Sequence, residues 1–249
     1  MSEVTPSLND LRAEIDRIDD TLLSLLEERV AIGRLVAIAK GTNSGPFLRP
    51  GREAAILRRL ILKSREQGDL QVEVVERIWR EILAANLARQ VDPVYAVFAP
   101  KGEDTLIDLA RDRGGCSTRL ERVNSPKAAL SMVASGAATL AVLPAPGEVR
   151  WRWWPLLIEE FDLKPRIVAR LPLFATEGGD AVGVAVQDPD PSGDDVSYFA
   201  VEGAAQGALD QANSADGRTW SLVRHSGFLE EHQGAVPLGA HAAPLSLTS

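Results

Sequence analysis

LNDLRAEIDRIDDTLLSLLEERVAIGRLVAIAK, residues 8–40, decides how the first part of this chain folds. Leu8, Leu11, Ile15, Ile18, Leu22, Leu25, Ile32, Val36 and Ala39 step along it by three and four, the spacing of one helix face. Ser7, with Asp10 three residues on, provides an N-cap with an acid in reach. GTNSGP at 41–46 ends the helix with glycine and proline. At about 1.5 Å per residue, a helix of some 33 residues is close to 50 Å long. It cannot bury its stripe alone and needs a long partner, for which a second copy of itself is the simplest choice. One position breaks the pattern: the heptad through Leu8, Ile15 and Leu22 lands on Arg29 before it returns to Val36.

An arginine in such a seam either lays its stem over the core with its head in water, or sits in a partly dry pocket that an anion completes. The neighbouring helices favour the pocket. Lys40 lies eleven residues on from Arg29, about 20° away in projection, and so on the same face. Residues 50–66 predict a second helix with Ile56, Leu57, Leu60 and Ile61 as its apolar face, and Glu53 stands at the start of that face. Residues 71–90 predict a third helix, and its stripe through Val72, Val75, Trp79, Ile82 and Leu83 ends in Asn86 and Gln90, spaced i,i+4. Three helices thus give up apolar positions to polar groups, which in a bundle form one polar pocket. Arg12 is about 25 Å from Arg29 along the same helix, too far to share a small anion in cis. In an antiparallel pair of long helices, Arg12 of one copy approaches Arg29 of the other.

Composition bounds the function. The content of 45% hydrophobic and 25% charged residues is that of an ordinary globular protein. Of the net charge of −8, residues 1–92 carry almost none, with 14 Lys and Arg against 15 Asp and Glu. No basic face dominates, so nucleic acid is not an expected partner. The single cysteine, Cys116, allows no internal disulfide and fits a reducing compartment. The start MSEVTPSLND has no basic and apolar leader pattern, and no stretch approaches the roughly 20 apolar residues of a membrane span. A cytoplasmic protein without a membrane partner is expected. His225, His232 and His241 are too widely spaced in sequence for a metal set, and no metal is assigned.

After a proline-containing linker the character becomes α/β. Strands are predicted at Val94–Phe98, at Thr139–Leu143, in PRIVARLPLFA, in AVGVAVQ, over 196–203, in RTWSLVRHSGF and in GAVPLGAHAAPL. Helices are predicted at 103–113, in AALSMVAS and, a short one, in GALDQANS. QDPDPSGDD reads as a turn-rich linker. WRWWP at 151–155 holds three of the five tryptophans and reads as a core plug or an inter-domain contact rather than a stacking site.

LRAEIDRIDDTLLSLLEERVAIGRLVAIAK, RPGREAAILRRL and IWREILAANLARQ resemble the three helices of the all-helical, AroQ-type chorismate mutases, over about residues 8–90. The resemblance implies a multidomain chain: an all-α three-helix domain, residues 1–92, that pairs into an intertwined helical homodimer, then a smaller α/β region. It implies chorismate as substrate, prephenate as product and no cofactor. It assigns Arg12 as the arginine donated across the dimer and Arg29 as the in-chain carboxylate clamp. Lys40 and Gln90 become donors to the ether oxygen. Arg52 and Glu53 hold the ring side, with Glu53 on the ring hydroxyl, and Asn86 helps close the site. Arg49 stands where some members have an acid that contributes mainly its backbone. An isochorismate-pyruvate lyase of the same fold, decided largely by loop 41–49, and a non-catalytic chorismate-binding regulator are the alternative readings.

The rest of the chain resembles the prephenate dehydratase and ACT regions that follow a mutase domain in bifunctional proteins of the phenylalanine pathway. FAPKGEDTLIDLA and VNSPKAALSMVASGAATLAVLP carry the first likeness, over residues 93–190, and DPSGDDVSYFAVEGAAQGALDQ carries the second, over 191–249. Gly207, Ala208 and Leu209 stand in place of an effector-binding GAL, with phenylalanine as the implied effector. The Thr-Arg-Phe motif of the dehydratase is absent, with DAVGVAV near its place, so dehydratase activity is not expected.

Overall fold

The computed structural model of the 249-residue chain describes residues 6–40, 47–159, 161, 163–175, 180–214 and 217–245. Its contacts divide into two units, with the boundary between Gly45 and Pro46.

The first unit is helix α1, Leu8–Lys40. Its start is a reciprocal capping box. The Ser7 N–H donates to Asp10 Oδ2 at 3.0 Å, and the Asp10 N–H donates to Ser7 Oγ at 3.2 Å. The apolar stripe is open to solvent within this chain: Ile15 is 57% and Leu22 53% exposed, and Leu8, Leu11, Ile32 and Val36 are exposed with them.

The second unit begins with α2 (Pro50–Gln67) and α3 (Val72–Ala88). Pro50 suits the first helical turn, where its missing N–H costs nothing. The open N–H groups of Gly51 and Arg52 are met from far along the chain by the Asp190 carboxylate, each at 3.0 Å. A Cβ on residue 51 would stand 2.0 Å from the Asp190 carbonyl oxygen, so only glycine permits this approach. Gly68, in the left-handed region, ends α2 with its N–H on the Ser64 carbonyl.

One sheet of nine strands fills the remainder: β1 (Val94–Phe98), β2 (Arg119–Val123), β3 (Leu140–Pro144), β4 (Arg166–Leu171), β5 (Ala181–Ala185), β6 (Asp195–Glu202), β7 (Asp210–Asn213), β8 (Thr219–Ser226) and β9 (Ala235–Ala242). Their order is β2-β1-β3-β5-β4-β9-β6-β8-β7. β1 runs parallel to β2 and β3, with α4 (Thr105–Gly114) and α5 (Pro126–Ala134) as the crossovers. Tyr95, Val97 and Ala99 cluster with Ala110 of α4, whereas Val94, Ala96 and Phe98 cluster with Leu130 and Val133 of α5. Burial on both faces is why β1, β3 and β5 read as unbroken apolar runs. The two halves of the sheet join where Ile167 of β4 meets Gly239 of β9. A Cβ at 239 would lie 2.1 Å from the Ile167 carbonyl oxygen, and Gly239 has φ +128°.

The chain is thus an N-terminal run of three helices followed by an α/β sheet region, as expected, but several expectations change. The α/β region is the larger part, not the smaller. α2 and α3 bury Ala54, Leu57, Ile61 and Val75 against Leu173, Phe174 and Ala242 of the sheet region. One sheet holds strands from both 93–190 and 191–249. GALDQANS is not a helix: Asp210–Asn213 form β7, which β8 pairs residue by residue. β2 was not foreseen, because RLERV is a largely exposed edge strand with no apolar alternation. QDPDPSGDD is more than a linker, since Asp190 caps α2, and Ser192 and Asp194 offer carbonyls to Arg58.

Candidate active site

The residues expected to hold substrate fall on both units. On α1, Arg12 is exposed. Arg29 is half-buried, and its NH1 nitrogen is shielded from solvent without a hydrogen-bond partner among the described residues. Burial holds its guanidinium pKa below the ordinary value. Lys40 is the last helical residue, and its side chain lies outside the description. Of loop 41–49, on which the choice between mutase and lyase largely rests, residues 41–46 also lie outside the described residues.

In the second unit Arg49 and Arg52 are exposed at the start of α2. Arg49 Nε donates to Asp190 at 3.1 Å, while its carbonyl accepts from the Glu53 N–H at 2.9 Å. Glu53 is not open. Its Oε2 accepts from Arg113 NH2 at 2.9 Å and lies 3.5 Å from Arg80 NH1. Asn86 is half-buried, with its Oδ1 shielded and unpartnered among the described residues. Gln90, just past α3, donates from Nε2 to the Asn86 carbonyl at 3.2 Å. Arg29 and Asn86 therefore share one property: a dry polar atom that a ligand can satisfy.

Reading the sequence missed Arg80 and Arg113. Arg80 has a sequence signal in its i,i+4 spacing from Glu76, to which it lies 3.5 Å. Arg113 has none, because its partner is sixty residues away.

The α/β region also resolves the remaining motifs. Trp153 and Trp154 are buried: the Trp153 indole donates to the Pro144 carbonyl at 3.1 Å, and that of Trp154 to Asp210 at 2.9 Å. WRWWP is a core plug. Gly207 takes a left-handed turn, and the Leu209 N–H, just before β7, donates to the Leu222 carbonyl at 2.8 Å. The His225 and His232 rings stand 4.4 Å apart over Phe199. Among the described residues no group of three or more His, Cys, Asp or Glu is arranged to hold a metal. Nor is any described helix long and apolar enough to cross a membrane.

At the C-terminal ends of the parallel strands β1 and β3 lies a cavity of about 200 Å³. Phe98, Leu106 and Trp151 line it together with Glu103, Glu148 and Asp180.

Residues 11–91 match the family described as chorismate mutase type II. A bifunctional chorismate mutase/prephenate dehydratase of Pseudomonas aeruginosa is 32% identical over 146 residues, 55% of this chain. This chain spans only 38% of the length of that protein. An intracellular chorismate mutase of Mycolicibacterium smegmatis is 29% identical over 59 residues, 24% of this chain and 57% of that protein. A prephenate dehydratase from Streptococcus mutans superposes with a TM-score of 0.44 at 12% identity, covering 60% of this chain and 97% of that one. That likeness is too slight to carry an argument. The matched stretch, residues 11–91, spans helices α1 to α3 and ends before the sheet begins.

Proposed function

We propose that this protein is a chorismate mutase that converts chorismate to prephenate as a homodimer in the cytoplasm, with Arg12 donated across the interface. The observation that carries the reading is Arg29: a guanidinium nitrogen shielded from water and unpaired, in the seam of a helix whose sequence matches the mutase family. The name of the Mycolicibacterium relative points the same way. The open stripe of α1 supports the dimer, because a second copy supplies a complementary stripe of equal length.

The chemistry suits these residue types. The reaction is an intramolecular Claisen rearrangement of a dicarboxylate, which needs no nucleophile and no obligatory proton transfer. Arg29 and Arg12 of the partner subunit fold the enolpyruvyl arm over the ring, which supplies orientation. Arg52 and Glu53 hold the ring side, Asn86 helps close the site, and Arg49 anchors the start of α2 beside it. Negative charge grows on the ether oxygen as the C–O bond breaks. Fixed donors from Lys40 and Gln90 stabilise that charge more in the transition state than in the ground state, each by about 3 kcal/mol.

The α/β region serves in this reading as a reduced dehydratase-like segment, 93–190, and a shortened ACT-like segment, 191–249, without dehydratase activity. The lining of the crevice at the ends of β1 and β3 includes no lysine or arginine, which supports that absence, because a dicarboxylate substrate needs cations to hold it. Gly207, Ala208 and Leu209 mark the place where phenylalanine binds if the ACT-like segment senses it.

Purified protein is incubated with chorismate and the product identified. Prephenate is the expected product. Phenylpyruvate formed without added acid overturns the loss of dehydratase activity. Binding of chorismate without turnover replaces the enzyme with a regulator.

A further inference from the structure

Three buried arginines converge on one cavity of about 320 Å³ in the larger unit, within the size range of small-molecule sites. Arg80 comes from α3, Arg113 from the last turn of α4 and Arg170 from β4, and their side chains are 9%, 6% and 6% exposed. A guanidinium is costly to bury unless acceptors surround it. Arg170 has them in Asp180 and in the carbonyls of Pro172 and Phe174. Arg80 and Arg113 are less well served. They share one carboxylate, Glu53, which is close only to Arg113. Arg80 lies 3.5 Å from both Glu53 and Glu76, beyond ordinary hydrogen-bond length. Arg113 Nε is shielded and has no partner among the described residues. Burial, and then the charge of Arg113, hold the Arg80 pKa below its usual value, whereas Glu53 and Tyr95 raise that of Arg113.

The other linings select the anion. Leu109, Leu171, Pro172 and Leu173 make an apolar wall. At the mouth, Asp112 is matched by Arg77 at 3.2 Å, and Glu73 is exposed. Burial raises the Glu76 pKa above its ordinary value, although Arg80 pulls the other way. A compact dianion gains nothing from the wall and meets these acids; a monocarboxylate on an apolar body fits both halves.

We propose that this cavity is a binding site for a small carboxylate with an apolar body, whose carboxylate takes the open donors of Arg80 and Arg113 while its body lies on Leu109 and Leu171. The site is separate from the one proposed for chorismate, with Glu53 as the residue that touches its arginines.

The test is calorimetric titration of the full chain with benzoate, benzylamine and inorganic phosphate. Benzoate is expected to bind saturably with a Kd in the millimolar range or tighter, and the other two are not. Arg113→Gln weakens benzoate by about tenfold or more, since it removes the charge of the clamp. Val74 lies at the mouth and is 41% exposed. Val74→Trp fills the mouth and abolishes benzoate binding without lowering Tm, which keeps the test decisive if Arg113→Gln does not fold. Absence of saturable benzoate binding, binding unchanged in Val74→Trp, or phosphate binding as tight as benzoate each overturns the proposal. Chorismate turnover on the same samples reports on the mutase reading alone: benzoate binding without turnover sinks the mutase and leaves this site standing.

Discussion

Arg113 NH2 stands 2.9 Å from Glu53 Oε2, so the α/β region grips the carboxylate of α2 that the mutase reading assigns to the ring hydroxyl. Both side chains are largely buried. Burial acts to lower the Arg113 pKa, but Glu53 and Tyr95 outweigh it, and the net shift is upward. Removing one member of such a pair leaves a charge in a dry place. Arg113→Met is expected to cost roughly 3–5 kcal/mol of stability, measured as a lower urea midpoint. Glu53→Gln added to it recovers part of that loss, because the stranded charge is gone. Equal losses in the single and double variants would show that the pair is not the cause.

Asp210 ties the tryptophan plug to β7. Arg152 donates to it through Nε and NH2, both at 2.7 Å, and the fully buried Trp154 indole donates at 2.9 Å. Burial alone would raise the Asp210 pKa, yet the Arg152 and Trp154 bonds hold it below the usual carboxylate value. Asp210→Leu strands the indole N–H, at a cost of about 1–3 kcal/mol. Asp210→Asn keeps an acceptor and costs less. Tryptophan fluorescence during denaturant unfolding reads both, and the reverse order would refute the role given to the indole bond.

Helices α1 to α5 were legible because their signals are local. Leu8–Lys40 has its period and its Ser7–Asp10 box within one stretch of sequence. β1, β3 and β5 were legible as apolar runs. β7 was misread because DQAN has no strand pattern of its own and owes its form to β8. For the candidate site, Arg29 was visible as a break in a stripe, and its NH1 nitrogen is shielded without a partner among the described residues. The Glu53–Arg113 pair was invisible, since no spacing rule links positions sixty residues apart. Asp190 was hidden in the same way: an acid in a turn-rich segment gives no sign that it caps a helix 139 residues upstream.

His241 makes the fold sensitive to acid. Its Nδ1 donates to the Ala242 carbonyl at 2.8 Å, so Nε2 is the acceptor for the Tyr198 hydroxyl at 3.2 Å. Burial lowers its pKa from 6.5 to about 4, and nearby Arg170 adds to this against the opposite pull of Asp180. With the folded pKa depressed, the unfolded chain takes the proton first as pH falls. The stability carried by the neutral ring is complete above about pH 6.5 and is lost as pH drops toward 4, a change of about 3 kcal/mol. His241→Gln is expected to flatten the difference in urea midpoint between pH 7 and pH 4.5 relative to the unaltered chain. Parallel pH profiles would remove His241 as the cause.

The shared site makes a prediction that neither unit makes alone. Arg12 and Arg29 lie on one helix about 25 Å apart along its axis, so a single chain cannot bring both to one small dicarboxylate. In the two-fold dimer proposed above, each site would take Arg29 from one copy and Arg12 from the other. Arg12→Ala and Arg29→Ala are each expected to lose activity by more than about a hundredfold, the scale for removing a positioned charge from a transition state. Mixing the two chains under conditions that exchange subunits creates heterodimers in which one site has lost both arginines and the other has lost neither. With random exchange about a quarter of all sites are intact, and chorismate turnover rises to that fraction of the wild-type rate. Light scattering and a tag on one chain establish that exchange took place. Proven heterodimers without recovered turnover would mean that Arg12 and Arg29 do not meet across the interface, and the shared-site reading would fall.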